Sequence, residues 1–151
     1  MAIRNVVQVG DDVLRQQCFP VEQFDEKLHA LLDDMKDTVK KEEGAGLAAP
    51  QVGVLRRVVV IDVDEGYFEM INPAIVGVKG EQRGYEGCLS VRGKRGVVSR
   101  PMKVKVAYYD RHGEKHVIQT KGLFARAVCH ELDHLDGVLY IDRAEFVERA
   151  E

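Results

Sequence analysis

Long apolar runs and cysteines are both scarce in this sequence, and each scarcity excludes a class of protein. No apolar run approaches the length of a membrane-spanning helix, so we expect no membrane association. The first residues, MAIRNVVQVGDDVLRQQ, contain neither a long apolar segment nor a small-residue cleavage site, and therefore predict no signal peptide. Three cysteines (Cys18, Cys88 and Cys129) are too few and too scattered for a disulfide framework. An odd number of thiols without an export signal indicates reduced cysteines and a cytoplasmic protein.

Excess charge of either sign is also missing. The formal net charge is -3, so no basic excess indicates stable binding to nucleic acid, and no acidic block indicates disorder. The sequence contains no repeats, no low-complexity tracts and no linker-like stretches rich in Pro, Gly and Ser. A length of 151 residues is typical of one globular domain. We therefore predict a single domain spanning residues 1–151.

What the sequence does contain begins with an amphipathic helix near the N-terminus. The stretch FDEKLHALLDDMKDTVKKEEG, from Phe24 to Gly44, places its apolar residues on one helical face and its charges elsewhere. Asp25 is a suitable N-terminal cap, and Gly44 is expected to mark the end. We predict that this helix packs through its apolar face and leaves its outer face in solvent.

Four later stretches are rich in β-branched residues that partly alternate with polar ones, which favours strands. They are RRVVVIDV (56–63), FEMINPAIVGV (68–78), KVKVAYYD (103–110) and EKHVIQT (114–120). YDRHGEK resembles a hairpin turn between the last two, and Pro73 indicates an edge strand or a strand end. GLFARAVCHELDHLDG then predicts a second helix with Gly137 as its stop. Together these elements predict an α+β fold, with mostly antiparallel strands packed around this central helix.

The central helix carries the strongest chemical signal, CHELDHLDG, from Cys129 to Gly137. His130 and His134 lie four residues apart, so both imidazoles face one side of the helix and can bind one metal ion. Glu131 follows the first histidine and is placed to reach a water on the metal rather than the metal itself. Zinc or iron lowers the pKa of such a water, and the glutamate then accepts its proton as attack begins. The pattern predicts a hydrolytic metal site, and chance occurrence on an exposed helix is the alternative.

The third metal ligand stays open from the residues alone. One extended metalloprotease pattern would place a histidine where this chain has Tyr140, a poor substitute on zinc. Another would use a glutamate on a following helix, with Glu145 and Glu148 in the short tail. Upstream, GYEGCLSVRG contains Cys88, whose thiolate suits zinc or ferrous iron, although a lone cysteine is more often a buried structural residue. Cys129 lies about 100° around the helix from its neighbouring histidine and is expected to line the core or the pocket.

Three separated stretches share the order and the approximate spacing of one family's signature motifs. They are GAGLAAPQ (44–51), EGCLS (86–90) and HELDH (130–134). The set resembles the motifs of the peptide deformylases, and the resemblance extends from VVQVGDDVLRQ to GVLYID, nearly the whole chain. It implies a catalytic domain that removes the N-formyl group from the formyl-methionine of nascent polypeptides and releases formate. The partners it implies are N-formylmethionyl nascent peptides, with transient proximity to the ribosome.

The resemblance also implies a role for each matching residue. Cys88, His130 and His134 would bind one divalent metal ion per chain, Fe²⁺ in the native enzyme, with Zn²⁺ or Ni²⁺ able to occupy the site. Glu131 would act as general base and then as acid. Gln51 would stabilise the oxyanion through its side-chain amide, together with the backbone N–H of Leu89; an uncharged amide donor suits that task.

Residues around this centre receive further expectations. Leu123 and Ala127 share the helix face of the two histidines, and we expect them to line an apolar pocket for methionine. By resemblance, Gly46 would bind the substrate backbone, and Ala45 stands where many relatives have a larger aliphatic residue. Three further residues match positions that commonly support the ligands through ion pairs and hydrogen bonds, with ordinary surface ion pairs as the alternative. They are Glu86, Arg100 and Asp133.

Two departures from the family pattern limit what is carried over. Arg92 stands where a proline is frequent, which leaves the shape of the loop after EGCLSV open. The chain ends soon after Asp142, with RAEFVERAE, so little remains for the long C-terminal helix that some relatives use at the ribosome. We therefore do not carry that ribosome contact over to this chain.

Overall fold

The computed structural model describes residues 2–150, which form an α+β structure with two antiparallel sheets. The larger sheet has five strands in the order β1-β2-β3-β6-β7, and the smaller has three in the order β4-β5-β8. The strands are β1 Gly46–Ala48, β2 Val58–Val63, β3 Gly66–Lys79, β4 Gln82–Cys88, β5 Val91–Arg100, β6 Lys103–Tyr109, β7 Lys115–Lys121 and β8 Val147–Arg149. The α-helices are α1 Glu26–Lys41, α2 Gly122–His134 and α3 Tyr140–Arg143. Within residues 2–150, none of the helices combines the length and the apolar character that crossing a membrane requires.

Helix α1 confirms the predicted amphipathic helix. The Asp25 carboxylate accepts a hydrogen bond from the Leu28 backbone N–H at 3.1 Å, which satisfies an amide that the first helical turn leaves free. The apolar face of α1 is fully buried against strands of the larger sheet. The predicted end at Gly44 is wrong by a few residues, because the helix stops at Lys41 and Glu43 takes the left-handed conformation with φ 56°. Gly44 is instead where the chain passes close to another element, since a Cβ there would lie 3.0 Å from a methyl carbon of Leu89.

Strand β3 corrects the expectation for Pro73. This strand lies between β2 and β6, so Pro73 is neither on an edge strand nor at a strand end. The β2 partner stops at Ile71, and a bulge separates Ile71 from Ala74 in the ladder with β6. Asn72, inside the bulge, has φ 50°. The bulge leaves a position without ladder hydrogen bonds, where a proline is tolerated.

Helix α2 occupies the centre of the molecule, as predicted, and contacts strands of both sheets. The predicted hairpin of β6 and β7 is confirmed, and α2 follows β7 directly along the chain. Phe124, Ala125 and Val128 of α2 pack against buried valines of β2 and β6. The helix ends at His134, so the predicted stop at Gly137 is late by three residues, as at Gly44. Gly137 adopts φ 75°, and a Cβ there would lie 2.6 Å from the Arg15 carbonyl oxygen.

The smaller sheet contains strands that the sequence pattern did not predict. Strands β4 and β5 form a hairpin around Leu89 and Ser90, and they carry several glycines and charged residues instead of alternating β-branched ones. After the short helix α3, β8 adds to the outer side of β5. Cys88 is the last residue of β4, and this placement brings it to α2.

Candidate metal centre

The candidate donor atoms come from two elements, β4 and α2. Cys88 lies at the end of β4, and both His130 and His134 lie on one face of α2. The three donor atoms all lie within 4.8 Å of one another, and the Cys88 Sγ is 3.4 Å from the His134 Nε2. A thiolate and an imidazole bound to one tetrahedral zinc ion are about 3.5 Å apart. The spacing and the chemistry of this set fit a single divalent metal ion.

The ring of His130 is fixed from behind by Glu86. Its Nδ1 is 2.8 Å from the Glu86 Oε1, which leaves Nε2 directed to the donor set. A carboxylate behind a histidine fixes the tautomer and the ring orientation that metal binding requires. His134 is also buried, and its Nδ1 has no hydrogen-bond partner among residues 2–150. The burial of His134 lowers the pKa of its imidazole, which favours the neutral form that can bind a metal.

Glu86 and Arg100 form a buried ion pair that anchors this arrangement. Arg100 donates from Nε and Nη2 to the two oxygens of Glu86, at 2.8 and 2.9 Å. It also donates from Nη1 to Asp133 on α2, at 2.8 Å. Burial acts to raise the pKa of the Glu86 carboxyl, but the hydrogen bonds from Arg100 and His130 hold that pKa far below its usual range. The side chains of both Glu86 and Arg100 are less than 5% exposed, so the alternative of an ordinary surface ion pair is wrong for them.

Glu131 is buried beside the donor set and directly against β1. Burial raises the pKa of Glu131 to about 7, which is the range that a general base needs near neutral pH. Its Oε1 has no hydrogen-bond partner among residues 2–150. A Cβ at Gly46 would lie 2.8 Å from the Glu131 Oε2, so only glycine fits there without moving the carboxyl group. Gly46 thus has a packing reason as well as the expected substrate role.

Gln51 lies next to Cys88 and is held by two hydrogen bonds. Its Oε1 accepts from the Ala48 backbone N–H at 2.9 Å, which orients the amide so that Nε2 points to the donor set. Nε2 donates to the Ser90 Oγ at 3.0 Å and lies 3.5 Å from the Cys88 Sγ. Ser90 was not among the predicted residues, although it stands two positions after Cys88 in EGCLS. Its hydroxyl is fully buried and contributes to fixing Gln51.

A cavity of about 460 Å³ opens onto these groups. The structure places all the predicted pocket residues in its lining: Ala45, Gly46, Leu123 and Ala127. Leu123 is 77% exposed, so it lies at the mouth of the cavity and not in its depth. Arg126 also lines the cavity and was not predicted. Its position four residues before His130 was the signal that could have identified it.

The alternative third ligands do not reach the donor set. The carboxylates of Glu145 and Glu148 bind Arg83 and Arg95 on the surface of the smaller sheet. Tyr140 lies behind the site, with its ring stacked on His130 at a centroid distance of 6.0 Å. The Tyr140 hydroxyl has no hydrogen-bond partner within residues 2–150. The neighbouring Cys129 is buried in the core, as expected, and is not part of the donor set.

A larger cavity and a second group of possible metal donors lie away from the Cys88 site. The larger cavity, of about 670 Å³, lies over Phe68 and Phe124 and is bordered by lysines. The second group of donors lies in the β6–β7 hairpin, with Asp110 half-buried and both Glu114 and His116 exposed. Only the Cys88 site, among the described residues, combines two buried histidines and a half-buried cysteine with an adjacent cavity and a buried carboxyl group.

A thiol and two imidazoles, with a buried glutamate beside them, are the groups that metal-dependent hydrolases use to activate water. Comparison with known proteins identifies the family within that class. A model of the polypeptide deformylase family matches residues 3–150. The peptide deformylase of Thermoanaerobacter pseudethanolicus is 55% identical over 95% of this chain and 91% of its own length. That of Caldanaerobacter subterraneus is 51% identical over 100% of this chain and 96% of its own.

Solved structures agree with the sequence comparisons. The peptide deformylase of Thermotoga maritima superposes with a TM-score of 0.94 and 38% identity, covering 97% of this chain and all of the other. A peptide deformylase from Synechococcus elongatus, solved with actinonin, has a TM-score of 0.92 and 40% identity, covering 95% of this chain and 79% of the other. The chain belongs to the polypeptide deformylase family, and it is therefore an enzyme of the hydrolase class.

Proposed function

We propose that this protein removes the formyl group from the N-terminal formyl-methionine of nascent polypeptides and releases formate. The observation that carries the proposal is that Cys88, His130, Glu131 and Gln51 line one cavity, with His134 completing the donor set. The ligands are Cys88, His130 and His134. A divalent ion held there polarises a carbonyl oxygen and lowers the pKa of a water molecule.

Glu131 is the group that moves protons in this proposal. Its buried carboxylate takes a proton from the attacking water as the oxygen adds to the formyl carbon. When the C–N bond breaks, the same carboxyl group gives that proton to the leaving nitrogen, and the free amine and formate result. The elevated pKa of Glu131 suits both steps, because the group must be ionised for the first and protonated for the second.

Gln51 and Leu89 stabilise the negative charge that develops on the formyl oxygen. The side-chain amide of Gln51 is held at the cavity by its hydrogen bond from Ala48, and Leu89, which lines the same cavity, would supply its backbone N–H. Fixed donors of this kind cost no reorganisation during the reaction. Ser90 supports Gln51 by accepting a hydrogen bond from the same Nε2.

The cavity and β1 bind the substrate. Leu123, Ala127 and Ala45 provide apolar surface for the methionine side chain. Within residues 2–150, strand β1 is an edge strand that pairs only with β2, so its other edge at Gly46 can pair with the extended backbone of a peptide. Glu86, Arg100 and Asp133 hold the ligands in place through the buried network behind His130.

We further propose that the ion in the cell is Fe²⁺ and that Zn²⁺ or Ni²⁺ can replace it, because one thiolate and two imidazoles suit all three ions. A ferrous thiolate site is expected to lose activity in air, and exchange for Ni²⁺ should prevent the loss. Equal lifetimes of the iron and nickel forms would contradict this assignment. The nascent peptide as substrate places the enzyme in the cytoplasm, with transient proximity to the ribosome and no stable nucleic-acid or membrane partner.

The test of the proposed function is formate release from formyl-Met-Ala-Ser. Protein purified anaerobically should release formate, and metal analysis of the same sample should find one ion per chain. Removal of the ion with a chelator should abolish the release, and re-addition should restore it. Protein that holds the ion at full occupancy and releases no formate would overturn the proposal.

A further inference from the structure

Arg126 is a buried cation on α2 whose contacts reach both strands of the β4–β5 hairpin. Its Nη1 donates to the Glu86 Oε2 at 2.7 Å and to the Val98 carbonyl at 3.1 Å. A longer contact, at 3.4 Å, reaches the Gly84 carbonyl. The Arg126 side chain is 8% exposed. A cation this deeply buried is retained only with such partners, because an unpaired buried charge is strongly unfavourable.

The contacts of Glu86 divide between its two oxygens. Oε1 accepts from His130 and from the Nη2 of Arg100. Oε2 accepts from the Nε of Arg100 and from Arg126. Arg126 therefore fixes the oxygen opposite the one that orients His130. Without it, Oε2 keeps a single partner, and the carboxylate has more freedom to rotate about its bond to the side chain.

Arg126 also spans the two elements that supply the metal ligands. Cys88 lies on β4 and the histidines lie on α2, so the distance between thiol and imidazoles depends on how the hairpin sits against the helix. The hydrogen bonds of Arg126 run from α2 to Glu86 on β4 and to Val98 on β5. Arg100 connects the same two elements in the opposite direction, with a hydrogen bond from β5 to Asp133 on α2. The ligand set lies between the hydrogen bonds of these two arginines.

We propose that Arg126 is a positioning residue for the metal centre: it fixes Glu86, and through it His130, and it holds the β4–β5 hairpin against α2. The proposal rests on the proposed function for the presence of the metal ion. The Arg126 side chain also lines the cavity. The experiment must therefore distinguish this positioning role from simple contact with the methionine side chain of the substrate.

The two roles differ in what a substitution changes. A positioning residue affects the rate at which the ion leaves and the kcat of the reaction. A wall residue affects KM and leaves the ion untouched. Arg126→Met removes the hydrogen bonds at similar length, and Arg126→Lys keeps the charge but loses the planar fork of donors. Arg83→Met is the matched control, because Arg83 also lies on β4 and its guanidinium binds the exposed carboxylate of Glu145.

The experiment loads each variant with Co²⁺ and follows the visible spectrum of the cobalt–thiolate site while an excess of EDTA removes the ion. Arg126→Met should release Co²⁺ about 10-fold faster than the unchanged protein, the effect expected for a residue that supports a ligand. Its kcat should fall with little change in KM, the lysine variant should be intermediate, and Arg83→Met should match the unchanged protein. Combined with Glu86→Gln, the Arg126→Met change should accelerate release less than it does alone, because part of its action passes through Glu86.

Several outcomes would overturn the inference. One is that Arg126→Met releases Co²⁺ at the unchanged rate with an unaltered spectrum. Another is that this variant changes only KM, which rises. A third is that Arg126→Met accelerates Co²⁺ release equally in the presence and absence of Glu86→Gln. If Arg126→Met does not fold, the lysine variant decides, and release at the unchanged rate would contradict the proposal. The cobalt measurement is independent of hydrolysis. Absence of formate release from the unchanged protein would therefore refute the proposed function and leave the role of Arg126 testable.

Discussion

The two sheets of this protein are stabilised by different means, and the comparison shows where the active centre is built. The five-stranded sheet is held by an apolar core, in which residues such as Ile71 and Val106 are fully buried. The three-stranded sheet has a small apolar cluster of its own and is tied to α2 by the hydrogen bonds of Arg100 and Arg126. The candidate metal ligands lie at the junction between this polar sheet and the helix, where directional contacts set distances more sharply than apolar packing does.

The largest effect is expected from removing a candidate metal ligand, the thiol of Cys88. Cys88→Ala should abolish stoichiometric metal binding and reduce formate release by about 10³-fold or more, because the remaining two imidazoles do not hold the ion. Metal analysis after gel filtration and the formate assay measure both. Cys129→Ala is the matched control, since that cysteine neighbours His130 but belongs to the apolar core. Full metal occupancy in the Cys88 variant would show that the third ligand lies elsewhere.

A slightly smaller effect is expected when the ligands stay and only the proton carrier is removed. Glu131→Gln should lower kcat by about 10²- to 10⁴-fold, the usual contribution of a general base. The metal content and the urea midpoint should stay close to those of the unchanged protein, because glutamine has the same shape. Steady-state kinetics at saturating formyl-Met-Ala-Ser give the value, and a kcat within a factor of two would exclude the assigned role.

A substitution in the core of the larger sheet should lower stability and leave the metal centre unaffected. Ile71→Ala removes a fully buried side chain from the apolar core and should cost about 2–5 kcal/mol of unfolding free energy. Urea unfolding measures this loss. The kcat per bound metal ion and the rate of Co²⁺ release should be unchanged at temperatures where the variant is folded. A parallel loss of metal affinity would mean that the two sheets are not separable as described.

The smallest effect is expected at an exposed ion pair of the three-stranded sheet. Arg83 binds Glu145 with two short hydrogen bonds, but both side chains are about half exposed, so solvent screens the interaction. Arg83→Met should leave both the urea midpoint and the metal-release rate unchanged within measurement error. A clear shift in either would show that surface pairs, and not only the buried network, hold this sheet.

The same difference between the sheets explains how much could be predicted from the sequence. Strands β2, β3, β6 and β7 follow from alternating β-branched residues, since their packing is apolar and periodic. Strands β4 and β5 carry glycines and charges whose partners are distant in sequence, so periodicity gives no signal there. The H-E-x-x-H pattern could be found because the helix itself fixes its geometry, whereas Cys88 stayed one alternative among several until the family resemblance was considered.

The residues that support the donor set also differ in whether they were predicted from the sequence. Glu86, Arg100 and Asp133 were expected from the resemblance, and the structure brings them together behind His130. Ser90 and Arg126 were missed because their partners, Gln51 and Glu86, are about 40 residues away and belong to other elements. Their positions, two residues after Cys88 and four before His130, could have marked them as neighbours of the donor set, but the contacts themselves depend on how separate elements pack together.

The most direct test of the central claim is the identity of the products from formyl-Met-Ala-Ser. Mass spectrometry and a formate assay on the same reaction should find equal amounts of Met-Ala-Ser with a free amine and of formate, with the peptide bonds intact. Shorter fragments such as Ala-Ser, formed without formate, would show that the site cleaves peptide bonds and would contradict the assignment of formyl removal to this site.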